Sequence, residues 1–159
     1  MSADAAQEFV DELLRADRDE IVRGFCRGFA NLDAASGTAL LSEMAGACRN
    51  CFLRRADFPD GLTLEGLIER LETAGPHRIE IRRVEKEIIW SELLEGRCAC
   101  PLVRLGTVPL CPRLCDCAVE WLRGLIEKYH GGNVTVELVE SVAGGSQSCV
   151  FRVKLGAAP

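Results

Sequence analysis

The chain has no apolar run approaching the roughly 20 residues that a helix needs to cross a bilayer. Its first residues, Met1 to Glu8, are polar and acidic and lack the apolar core of a secretory signal. Those two absences set the expectation of a cytoplasmic protein without a membrane partner. Positive charge is not in excess either. Lys and Arg number 19 against 24 Asp and Glu, a formal net charge of −5. No basic field waits for a phosphate backbone, so nucleic acid is not an expected partner. The pairs Arg54-Arg55 and Arg82-Arg83 are short and read as solvated faces. Histidine is scarce: His77 and His130 stand alone, and no Ser–His–Asp order can be built from them. Internal repeats and low-complexity tracts are absent.

What the chain does have is a globular composition, 48% hydrophobic and 27% charged. Its 159 residues are enough for one domain with a real core. It also has nine cysteines, an odd number that cannot all pair within the chain. In a reducing compartment such thiols are not a disulfide framework, and clustered ones point to metal or redox chemistry.

The expected fold class is α+β in a single domain, 1–159, with a helical part over 1–75 and a cysteine-rich α+β part over 76–155. Phe9, Val10, Leu13 and Leu14 recur at helical spacing in Ala5 to Leu14. Ile21, Val22, Phe25, Cys26 and Phe29 do so in a second helix, with Cys26 read as core. Ser36 is the expected cap of a third helix, Thr38 to about Phe52. A fourth runs from Thr63 to Thr73, after the turn Pro59-Asp60-Gly61 and before the stop Gly75-Pro76. The period then becomes two. His77 to Arg83 and Glu87 to Leu93, with a turn near Glu85-Lys86, read as an antiparallel hairpin. Arg113 to His130 is the clearest helix, ended by Gly131-Gly132. Asn133 to Glu140 and Ser148 to Leu155 form a second hairpin through Gly144-Gly145-Ser146. Two hairpins flank a long helix, and one sheet packed by helices follows.

Five of the nine cysteines fall in the 20 residues from Cys98 to Cys117: Cys98, Cys100, Cys111, Cys115 and Cys117. Cys111 and Cys115 share a face if the helix has begun by then. A helix start also lowers thiol pKa and favours the thiolate that binds metal or attacks electrophiles. Four thiolates from a loop and a helix start suit tetrahedral zinc, and the same ligands suit an iron–sulfur cluster. Cys149, on the inward face of the last strand, either packs in the core or joins that site. Cys48-Arg-Asn-Cys51 forms a second group, a Cys-x-x-Cys inside a helical pattern and not at a helix start. The bland alternative for each is burial as a small hydrophobe. Glu140 and Ser141, before the glycine turn, and Trp121 on the long helix are the candidate ligand-facing residues, although aromatics of this size more often fill cores.

Several runs resemble a known family. They are Cys98-Ala-Cys100-Pro-Leu-Val, Leu114-Cys115-Asp-Cys117 with Glu120-Trp121-Leu122, Val134 to Ser141, and Gly144-Gly145 followed by Cys149-Val-Phe151-Arg152-Val153. The C-terminal half resembles 4-vinyl reductase-type domains, and more closely a cysteine-rich prokaryotic group related to them, some of whose members are labelled aminothiazoline-carboxylate hydrolases. Met44-Ala-Gly-Ala-Cys48-Arg-Asn-Cys51 is similar to a cysteine motif of that group. The resemblance implies an α/β fold with a pocket for small, often hydrophobic molecules. It also implies Cys98, Cys100, Cys115, Cys117 and Cys149 as metal ligands; Cys111 departs from the pattern.

Three functions compete on this reading. The first is a small-molecule-binding domain with a cysteine-thiolate metal site. The second is a thiol- or metal-dependent enzyme, hydrolase or redox, using the same cysteines. The third is a structural zinc module in a homodimer with the helical part as interface.

Overall fold

The structure, a computed structural model, describes residues 7, 17, 20–59, 61–75, 78–84 and 87–157. Apart from Gln7, the expected helix from Ala5 to Leu14 lies outside the described residues, as do the strand start at His77, Asp60, Pro76 and the turn at Glu85-Lys86.

Residues 20–30 form a helix, α1, as the spacing of Ile21, Phe25 and Phe29 implies. Helix α2 spans Ala34–Ala56, longer at both ends than expected. Its cap is Asp33 and not Ser36. The Asp33 carboxylate accepts the Ser36 N–H at 2.9 Å and the Ser36 hydroxyl at 2.6 Å, so an acid at the cap takes the serine as a donor. Those bonds hold the Asp33 carboxyl below its ordinary pKa. Helix α3, Leu64–Ala74, is capped by Thr63, whose hydroxyl accepts the Gly66 N–H.

Strands β1 (Arg78–Val84) and β2 (Glu87–Leu93) pair antiparallel. A four-residue helix, α4 (Pro101–Arg104), and a tight turn, Pro112–Leu114, lead into α5, Cys115–His130. Gly131 closes α5 with φ of 76°, a backbone state open to glycine without a Cβ penalty, and its N–H reaches the Glu127 carbonyl. Strands β3 (Val134–Glu140) and β4 (Ser148–Leu155) form the second hairpin. The sheet order is β1-β2-β4-β3, with every neighbouring pair antiparallel. The molecule is therefore α+β: helices first, then one four-stranded sheet packed by helices. Among the described residues, no helix is long and apolar enough to cross a membrane.

Strand alternation sends one row of side chains straight across the sheet toward the helices. Ile81 faces Trp90, Trp90 faces Phe151, and Phe151 faces Leu138. With Ile88 and Val153 this row packs on Leu67 of α3 and on Leu122, Leu125 and Ile126 of α5. Burying one such side chain contributes about 1.5–3 kcal/mol. The next row breaks the pattern: Ile79 faces Glu92, and Glu92 faces Cys149. The apolar core ends there, and the cysteines begin.

Candidate functional site

All nine cysteines are free thiols, and all are half-buried. They divide into two neighbourhoods.

The larger is a seam between the end of the sheet, the start of α5 and the middle of α2. Cys98 and Cys100 lie on the segment after β2, where the Cys100 N–H meets the Cys98 sulfur at 3.4 Å. Cys115 opens α5 and Cys117 follows two residues on. Cys149 stands on β4 opposite Glu92. Charge coupling runs from Cys48 to Cys51 and Cys100, from Cys117 to Cys100 and Cys48, and from Cys115 to Cys149 and Cys98.

Burial governs the chemistry of this seam. It pushes the Cys115 thiol up to about 11 and outweighs the Ser141 hydroxyl that bonds its sulfur. Cys117 also rises to about 11, by burial first and then by Cys100, Cys48 and Glu120. Burial is the leading cause at Cys48, Cys98 and Cys149 too. The sequence-based expectation was a lowered pKa at the helix start. Half-burial beside other thiols and acids reverses it. A thiol with a pKa near 11 is a thiolate in only about one molecule in 10⁴ at neutral pH.

The expected metal site, zinc or iron–sulfur, is a correction. Among the described residues, no three His, Cys, Asp or Glu side chains are placed to hold a metal ion. The metal-binding function is therefore not supported.

The candidate ligand-facing residues spread apart. Ser141 sits beside Cys115 and caps the short turn Val142–Gly144. Glu140 is exposed and accepts the Ser146 hydroxyl at 2.9 Å. Trp121 meets Phe52 edge-on at 5.3 Å, in an aromatic cluster that continues to Phe58 and Tyr129. His130 rests on the Gly156 carbonyl at 2.9 Å.

The smaller neighbourhood holds Cys26 and Cys111. Phe25, Cys26 and Phe29 of α1 form one wall of a cavity; Leu102, Val108 and Cys111 form the facing wall. Cys26 thus lines a cavity and is not closed in the core. Cys111 stands apart from its sequence neighbours because the turn Pro112–Leu114 intervenes before α5. The cavity holds about 30 Å³, roughly the share of one water molecule. Large apolar side chains sit exposed on the same two segments: Ile21 at 72%, Phe25 at 50%, Leu105 at 80% and Leu110 at 45%. Sequence spacing could not find this pair, since 85 positions separate the two cysteines in the chain. Next to the cavity lies an open cleft of about 380 Å³ that includes Gly37, Arg113 and Asp116.

No family model matches the chain, and no curated protein matches it. A solved structure does share its fold: a trafficking protein particle complex subunit 3 from Naegleria fowleri, covalently bound to palmitic acid. The two chains are 13% identical with a TM-score of 0.52, over 95% of this chain and 98% of that one. Nothing found points to 4-vinyl reductase-type domains. The resemblance in the C-terminal half is corrected by this neighbour, whose likeness runs through nearly the whole chain.

Proposed function

We propose that the chain is a binding protein that carries a long-chain acyl group as a thioester on Cys26 or Cys111. The observation that carries this reading is the cavity itself, two thiols set into an apolar wall. The shared fold lends support, because the neighbour has palmitic acid covalently bound.

The step is a thiol exchange with an acyl-coenzyme A donor. The cysteine sulfur bonds to the acyl carbonyl carbon, and that carbon's bond to the coenzyme A sulfur breaks. The proton of the cysteine thiol ends on coenzyme A. At about 30 Å³ the closed cavity cannot hold the chain, so α1 must yield as the chain enters. Each buried CH₂ then returns about 0.8 kcal/mol.

Incubation with palmitoyl-coenzyme A, followed by intact mass measurement, tests the reading. One acyl adduct, removed by hydroxylamine, is expected. Cys26→Ser with Cys111→Ser should abolish it. An adduct that survives in the double variant sinks the assignment.

A further inference from the structure

Arg113 ties the cavity to its cover. It lies in the turn Pro112–Leu114, directly after Cys111 and Pro112. Its Nη1 donates to the carbonyls of Phe29 and Ala30, both at 3.0 Å. Its Nη2 donates to the carbonyls of Leu32 at 2.9 Å and Asp33 at 3.3 Å. The first two belong to the last turn of α1, where carbonyls have no partner within the helix. The other two belong to the link into α2. A positive charge at a helix C-terminus is also favoured by the helix dipole. The guanidinium carbon sits 4.9 Å from the centre of the Phe29 ring, and Phe29 is itself a wall of the cavity. On α2, Gly37 leaves the guanidinium its seat, because a Cβ there would collide with Arg113 Nη2.

We propose that Arg113 is a latch that holds α1 closed over the cavity, so that its release admits an apolar chain to Cys26 and Cys111. The use of the latch rests on the acylation reading; its existence does not. A planar fork bonds four carbonyls from two directions, which the point charge of a lysine does not reproduce. Arg113 is a positioning residue and takes no part in thioester chemistry.

Two variants release the latch by different routes. Arg113→Met removes the fork, and Gly37→Ala fills its seat while favouring the α2 helix by propensity. Each is treated, as the whole chain at neutral pH, with N-ethylmaleimide, and labelling is followed cysteine by cysteine. Cys26 and Cys111 should label about tenfold faster or more, since each lost charge-assisted hydrogen bond is worth about that factor. Cys115 and Cys117 should keep their rates. Arg113→Lys should behave like Arg113→Met and not like the parent. If Arg113→Met unfolds the chain, all the cysteines accelerate together and Gly37→Ala decides. Unchanged labelling of Cys26 and Cys111 in a folded Gly37→Ala chain overturns the latch. Faster labelling in a chain that palmitoyl-coenzyme A still does not modify leaves the latch standing and removes the acylation reading.

Discussion

The seam and the cavity use the same side chain in opposite surroundings. In the seam, Cys48, Cys98, Cys115, Cys117 and Cys149 sit near other thiols and beside Glu92 and Glu120, where burial keeps protons on sulfur. In the cavity, Cys26 and Cys111 sit among Phe25, Phe29, Leu102 and Val108. The seam is backed by the rigid sheet through Cys149 on β4. The cavity is lined on one side by α1, whose last carbonyls Arg113 bonds. Density of cysteines along the chain is therefore a poor guide to which thiol is placed to react. The cavity pair is sparse in sequence and has the more distinctive setting.

The comparison can be broken at its base. Trp90→Ala removes a fully buried side chain from the central row of the sheet and should cost about 3–5 kcal/mol, measured by urea unfolding. Global opening then sets all labelling rates, and the difference between seam and cavity should collapse.

Alkaline pH sharpens it from the seam side. Folding raises the Cys115 and Cys117 pKa values from 9.0 to about 11. Between those values the unfolded chain has lost protons that the folded chain keeps. Stability should therefore fall as pH rises through that window, and these two thiols should add no pH dependence below it. Urea midpoints across the window check the sign; a rise in stability there would contradict the account of the seam.

Smaller changes should leave the contrast intact. Thr63→Ala removes the cap of α3, away from both thiol groups, and should cost about 1 kcal/mol without altering the ratio of labelling rates. Glu137→Gln breaks a solvent-exposed bridge to Arg152, at 3.0 Å on the far face of the sheet. It should change stability by no more than about 0.5 kcal/mol, and thermal melting reads both variants.

Much of the fold was legible in the chain. Period-two runs placed both hairpins, and β4 matches its expected bounds, Ser148–Leu155. The apolar stripe from Leu114 to Tyr129 marked α5, whose start lies at Cys115 because Pro112 and a tight turn precede it. Helix α2 outran its expected ends, since Asp33 caps it three residues before Ser36 and Arg54 and Arg55 fit its last turn. The site was less legible. Thiolate chemistry at the start of α5 was inferred from local sequence, but the pKa there is decided by burial against distant elements. Cys26 and Cys111 meet only through tertiary packing, and the four carbonyls that Arg113 bonds lie at least 80 positions away from it.

The most direct test of the contrast between the two groups is site-resolved mapping of the unmodified-sequence protein after exposure to palmitoyl-coenzyme A at neutral pH. The account expects the acyl group on Cys26 or Cys111, with Cys98, Cys115, Cys117 and Cys149 still free. Acylation confined to the seam cysteines, with Cys26 and Cys111 untouched, would contradict it.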